Sequence, residues 1–169
     1  MANPTMTLIS SQTVGAGGVA SVTFSSIPQN YTDLIINISA RDSASGGSYM
    51  QINGATTNYN EKLLYGAGGS AFSANQATTN IGWCFLLNSS TTTTSTYASS
   101  QCYIPNYTSS ANKYLCSESL SEDNATNSNI YINSATWANT AAITSLIFTS
   151  SAGTFQQYST FYLYGIKNS

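Results

Sequence analysis

The chain has 169 residues, a formal net charge of −2 and only four Lys and Arg residues. Because neutralising nucleic-acid phosphates requires a basic patch, four scattered cations argue against nucleic-acid binding. Charged residues make up 6% of the composition, against about 25% in an average soluble domain, so Ser, Thr and Asn supply most of the polar surface.

The length predicts a single domain over residues 1–169, with residues 1–5 as a candidate N-terminal arm. No run approaches the roughly 20 apolar residues that span a bilayer, and no signal-peptide pattern is present, so we expect folding in a cytoplasm. A surface with few Lys and Glu loses little side-chain entropy when a partner covers it, which suits permanent assembly. Turn-rich β proteins share this composition, so that alternative stays open.

The first part of the chain predicts short strands separated by turns. A strand begins at Thr5, a glycine-rich turn follows, and Val19–Phe24 returns with alternating apolar residues, which outlines a hairpin. Asp33–Arg41 alternates most clearly and predicts a half-buried strand. Its predicted buried face comprises Leu34, Ile36, Ile38 and Ala40.

The middle of the chain gives less regular patterns. Tyr49–Asn53, which ends at an Asn-Gly turn, and Tyr59–Tyr65 are predicted strands. Ser70–Asn80 has no clear period and is predicted to be a loop. Ile81–Leu87 is a continuous apolar run of strand length, typical of a strand buried on both faces. The threonine-rich stretch Asn88–Thr96 is predicted to be a loop that leads into the next strand.

Further strands are predicted towards the C-terminus. They are Thr96–Ile104, Lys113–Leu120 and Ile143–Thr149, with a weaker alternation over Ile130–Trp137. In total, roughly nine or ten strands with short polar turns predict an all-β protein, an antiparallel β-sandwich of jelly-roll-like type.

The last predicted strand, Gln157–Ile166, is aromatic and uncharged. A flat aromatic edge would recruit further strands, so we expect this strand to lie inside a sheet. Phe161 and Leu163 then face a core, and the alternating tyrosines face a second layer or another subunit. The candidate interface residues are Tyr158, Tyr162 and Tyr164.

Residues that carry enzyme chemistry are few. The chain has no histidine, which excludes a Ser-His-Asp triad, a Cys-His pair and the common zinc sites. Six carboxylates leave a paired-carboxylate mechanism open on paper, but nothing places two of them in one cleft. Cys84, Cys102 and Cys116 lack CxxC spacing and are expected to be small buried hydrophobic residues. No catalytic residue, metal ligand or cofactor site is predicted.

The two tryptophans leave a binding role open. Exposed Trp83 and Trp137 would be candidates for stacking on sugars, although burial in the core is the favoured interpretation.

Four stretches resemble a family of small virion structural proteins of tailed bacteriophages, common among phages of cyanobacteria and other aquatic bacteria. They are IPQNYTDLIINISAR (Ile27–Arg41), IPNYTSS (Ile104–Ser110), TWANTAAITSLIF (Thr136–Phe148) and STFYLYGI (Ser159–Ile166). The resemblance covers most of the chain in the same order, and STFYLYGI is its most specific piece.

The resemblance implies a capsid decoration, or cement, protein on the capsid exterior. It further implies a jelly-roll-like sandwich that associates as a homotrimer, binds the major capsid protein and carries no catalytic motif. Similar sequences also occur in tail fibres and other appendages, which leaves lectin-like binding of a host surface glycan, through Trp83 and Trp137, as the alternative. The chain has no stalk, collagen-like run or coiled coil, which favours decoration.

Overall fold

The computed structural model describes residues 5–44, 47–123 and 128–167, so residues 1–4 of the candidate arm lie outside it. The described residues form strands and no helix, and hence contain no helix with the length and apolarity needed to cross a membrane. The strands are β1 (Met6–Thr13), β2 (Ser21–Phe24), β3 (Asp33–Ala40), β4 (Ser48–Ile52), β5 (Tyr59–Ala67), β6 (Ser70–Thr78), β7 (Ala98–Ile104), β8 (Lys113–Glu122), β9 (Ser128–Trp137), β10 (Leu146–Ser150) and β11 (Thr160–Ile166).

The strands form two antiparallel sheets, which confirms the predicted all-β sandwich. The large sheet has eight strands in the order β1-β11-β3-β7-β8-β9-β5-β6, and the small sheet has three in the order β2-β10-β4. The jelly-roll connectivity stays a prediction.

The terminal strand lies inside the large sheet, between β1 and β3, as its aromatic pattern predicted. Phe161 and Leu163 are fully buried in the core. The strand begins at Thr160, however, and not at Gln157. Tyr158 has a left-handed φ of 71°, a turn conformation that takes it out of the tyrosine row.

The core lies between the two sheets. The alternate residues of β3 from Leu34 to Ala40 are buried as predicted, because one face of this central strand points at the small sheet. Across the interface, Phe148 of β10 packs against Phe161 with ring centroids 5.7 Å apart. Phe155, in the turn before β11, packs edge-on against Phe161 at 5.0 Å.

The apolar run Ile81–Leu87, predicted to be a strand, is an irregular segment that crosses the inner face of the large sheet. Ser48 of the small sheet donates from its Oγ to Phe85 O at 2.9 Å. Polar side chains of the large sheet bond to three further backbone groups, in place of the strand pairing that would otherwise satisfy them. The bonds run from Trp83 N to Glu61 Oε1 (3.1 Å), from Leu86 N to Ser100 Oγ (3.3 Å) and from Ser119 Oγ to Cys84 O (3.3 Å).

The threonine-rich loop that follows is held by Arg41, which is 5% exposed. The guanidinium donates to the carbonyl oxygens of Thr93 at 2.8 Å and of Thr92 and Thr96 at 3.1 Å. These bonds tie the threonine-rich loop to the end of β3 and stabilise its conformation.

The stretch predicted as a loop over Ser70–Asn80 contains a strand instead. β6 pairs with β5 over nine consecutive residues and forms one edge of the large sheet. Most of its side chains are exposed, so it lacks the apolar alternation by which a half-buried strand is recognised.

Candidate interaction surface

The outer face of the large sheet is the face that points away from the small sheet. β8 shows the geometry most simply, because its ten residues alternate strictly between buried and exposed. Residues paired in register on β11, β3, β7, β9 and β5 present their outward side chains on the same face. In the described part of the chain, no further strand layer covers this face.

Four aliphatic side chains form an exposed patch on this face. Leu64 of β5 is paired with Ile132 of β9, and Leu120 of β8 is paired with Ile130 of β9. Their exposed fractions are 53%, 57%, 50% and 53% in that order. We call these four residues the aliphatic patch. Contiguous apolar surface of this kind is typical of a site that contacts another molecule.

Two of the three predicted interface tyrosines also lie on the outer face. Tyr162 and Tyr164 are half-buried on β11 and stack on each other with centroids 6.4 Å apart. Tyr158 is 67% exposed but precedes the strand, so it is separated from this pair along the chain. The structure therefore brings Tyr162 and Tyr164 together and leaves Tyr158 apart.

Hydrogen bonds fix polar side chains between the tyrosines and the aliphatic patch. Gln101 Nε2 donates to Asn37 Oδ1 at 2.9 Å across β7 and β3. The hydroxyl of Tyr103 donates to Asp33 Oδ2 at 2.8 Å, and this bond raises the pKa of Tyr103. Polar groups held in this way lose little freedom when a partner contacts them.

A shallow groove of about 470 Å³ runs over the same strands. Tyr162, Asn37, Gln101 and Glu118 follow one another in register across β11, β3, β7 and β8 and line it. Leu120 and Ile130 of the aliphatic patch line its other end. We call this concavity the polar groove.

Neither tryptophan lies on the outer face. Trp137 is 2% exposed and stacks on Tyr59 with centroids 6.4 Å apart, so its ring is not accessible to a sugar. Trp83 is half-buried in the segment that crosses the inner face, where its backbone N–H donates to Glu61 Oε1. Stacking on a glycan, predicted as a role for exposed tryptophans, is thus excluded for Trp137 in this fold.

The carboxylates are divided between buried hydrogen-bonding roles and exposed positions. Asp42 accepts a bond from Ser150 Oγ at 2.8 Å and is fully buried, and Glu61 accepts one from Gln76 Nε2 at 2.6 Å. Glu118 is exposed in the polar groove. Within the described residues, no three Asp, Glu or Cys side chains are placed to share a metal ion.

The cysteines differ in exposure. Cys84 and Cys102 are buried, as predicted, and burial raises the pKa of both thiols. Cys116 is exposed, so the prediction of burial is wrong there. Its side chain points outward because it occupies an exposed position of the alternating strand β8, next to Tyr103 in the register.

The sequence did not single out the aliphatic patch or the polar groove. Both draw side chains from strands that are distant in the chain, and only the weak alternation at Ile130 and Ile132 hinted at an outward apolar stripe. Compared with protein-family models and with curated proteins, the chain matches no family model and no curated protein. The use of this face must therefore be inferred from its own chemistry.

Proposed function

We propose that this chain is a structural protein of a bacteriophage virion, a capsid decoration protein that binds the outside of the shell without catalysis. The observation that carries the proposal is the aliphatic patch, four side chains that remain at least half exposed on a sheet face that no further strand layer covers among the described residues. The sequence resemblance to virion structural proteins supports the same role.

The outer face has the size that a stable contact needs. Eight strands spaced about 4.8 Å apart, each with about seven residues at roughly 3.4 Å, give a face on the order of 800 Å². Specific protein interfaces bury about 800 Å² per partner. Docking of most of this face would therefore suffice for a specific complex.

Its chemistry suits adhesion. The half of the face near β6 offers the aliphatic patch, and Tyr162 and Tyr164 in the other half offer large ring surfaces with few rotatable bonds, as interface anchors commonly do. Hydrogen bonds already hold Gln101 and Asp33 with their neighbours, so ordering them costs little on binding.

A decoration protein needs only this kind of contact. Binding to the assembled shell stabilises it by mass action, and many copies on one particle add their contributions. The proposed partners are the major capsid protein and further copies of this chain. The homotrimer that the resemblance implies is one possible association of these copies, and the mass of the purified protein in solution tests it.

Imaging of native particles tests the role. A decoration protein occupies fixed positions on every capsid face, with the aliphatic patch against the shell, and particles without it break at a lower temperature. Density for the protein at the tail tip alone would contradict the proposal.

A second candidate function, binding of a host surface glycan by a tail appendage, is favoured by the polar groove. Its volume of about 470 Å³ falls in the range of small-ligand sites. Amides, one carboxylate and the ring of Tyr162 are the groups that bind sugar hydroxyls and stack on sugar rings.

Binding of host polysaccharide to the purified protein distinguishes this candidate. Tyr162→Ala and Gln101→Ala should each abolish such binding, whereas the control Trp83→Phe, outside the groove, should not. Absence of any polysaccharide binding by the wild-type protein would exclude the glycan role.

A further inference from the structure

β6 is an edge strand that lacks the charges, prolines and bulges that commonly protect a sheet edge. Its nine residues contain no charge and no proline, and its register with β5 is continuous, without a bulge. The opposite edge strand, β1, has a register shift between Leu8 and Ser10. Soluble proteins usually protect long edges with charges, prolines, bulges or a covering segment, because an open edge pairs with other strands.

The turn before β6 determines which backbone groups are unpaired. Ala67 and Ser70 are paired on either side of the two-residue loop Gly68-Gly69, and the pair that flanks such a loop is hydrogen-bonded. Bonded and non-bonded pairs then alternate along the hairpin. Every second residue therefore directs its N–H and C=O away from β5. These residues are Ala71, Ser73, Asn75 and Ala77.

We propose that this edge pairs with β6 of a second copy of the chain, antiparallel, around a two-fold axis at Ala74. The pairing joins two eight-stranded sheets into one. In this register Ser73 lies opposite the partner's Asn75, and Ala71 lies opposite the partner's Ala77. Each outward-directed N–H of one copy then lies opposite an outward-directed C=O of the other copy.

The edge is complementary to itself in shape and charge. No like charges meet, because the strand has none, and Ala74 is small enough to lie against its own counterpart at the axis. Phe72, which is 48% exposed and stacks on Tyr65 at 5.0 Å, lies opposite the partner's Gln76 and becomes covered. About eight backbone hydrogen bonds form, which is close to the roughly ten hydrogen bonds of a typical protein interface.

This contact goes beyond the proposed role on the shell, since it uses an edge and not the outer face. Its test is the mass of the purified protein in solution, which does not depend on finding the protein on any particle.

The experiment uses charge at the two facing positions. Light scattering should give the wild-type protein twice the chain mass of 17.9 kDa. The variant Ser73→Lys/Asn75→Lys places lysines opposite lysines in the proposed register, so its mass should halve. The variant Ser73→Glu/Asn75→Glu should also be monomeric. Mixing the two variants should restore the dimer, because each lysine then faces a glutamate.

A matched control places the same charges on the other edge. Ser11→Lys/Thr13→Lys alters two exposed residues of β1 and should leave the dimer intact. Circular dichroism checks that each variant retains its strands. A wild-type mass of one chain or of three chains would overturn the proposal, as would a lysine variant that stays dimeric or a mixture that stays monomeric.

Discussion

Replacing Leu64 and Ile132 together by Thr should weaken binding to the shell without unfolding the protein. Threonine is β-branched, which suits a strand, but it presents a hydroxyl in place of apolar surface. Both side chains are already 53% and 57% exposed, so the sheet itself loses little when they are changed.

The expected loss of binding free energy follows from the side-chain surface of Leu64 and Ile132 that is exposed in the free protein and buried on docking. Full burial of a Leu or Ile side chain contributes about 1.5–3 kcal/mol, and about half of each side chain remains exposed here. Loss of both therefore costs about 1.5–3 kcal/mol of binding free energy, which corresponds to a Kd that is roughly 10- to 140-fold weaker.

The assay uses shells from particles produced without this protein, incubated with increasing concentrations of each variant and pelleted. Ile147→Thr is the matched control, because it makes the same kind of change at a half-buried position of β10, in the small sheet. Urea unfolding of each variant separates binding from stability. Equal binding by the double variant and the wild type, or an equal loss with Ile147→Thr, would refute the docking role of the aliphatic patch.

Three other predictions concern the interior and the thiols. Arg41→Ala should lower the free energy of unfolding by about 1.5–3 kcal/mol in urea titrations, the usual contribution of hydrogen bonds to a charged group, because three loop carbonyls lose their donor. A loss below about 0.5 kcal/mol would show that the loop does not need Arg41. A thiol reagent should label Cys116 rapidly in the folded protein and Cys84 and Cys102 only after unfolding. Rapid labelling of all three thiols would contradict the burial of Cys84 and Cys102. A bulky label on Cys116 should also reduce binding to the shell. Burial keeps Cys84 and Cys102 protonated in the folded state, whereas the unfolded chain ionises both thiols above about pH 8.5. The free energy of unfolding should therefore be constant with respect to these thiols below about pH 8.5 and fall above it by roughly 1.4 kcal/mol per pH unit for each thiol. Cys84→Ala/Cys102→Ala should flatten this slope, and an unchanged slope would exclude the thiols as its cause.

The strands that the sequence predicted best are those whose two faces meet different surroundings. β3 alternates because one face meets the small sheet and the other does not, and β11 was placed inside a sheet because its aromatic residues would make a poor edge. These properties are local to a few residues, so they can be read without knowledge of the fold.

The misassigned segments are those whose environment is set by distant residues. Ile81–Leu87 is apolar throughout, which fits a buried strand and a buried crossing equally well. The irregular course is stabilised by bonds to its backbone from distant residues, among them the side chains of Glu61, Ser100 and Ser119 on three other strands. β6 was not predicted, because most side chains of this edge strand are exposed and therefore show no apolar period.

The candidate surface was predictable only in part. Tyr162 and Tyr164 were found because their alternation lies within one strand. The aliphatic patch and the polar groove depend on which strands are neighbours, since Leu64, Leu120 and Ile130 come from three separate segments. The burial of Trp137, which the sequence analysis favoured, is confirmed. Its stacking on Tyr59 could not be predicted, because the two residues are distant in the chain and meet only through the pairing of β5 with β9.

Electron cryomicroscopy of the virion that we propose carries this protein tests the central claim most directly. We expect density for this fold at repeated positions on the capsid exterior, with Leu64, Leu120, Ile130 and Ile132 buried against the shell. Density confined to the tail, or a capsid-bound protein whose outer sheet face points into solvent, would contradict it.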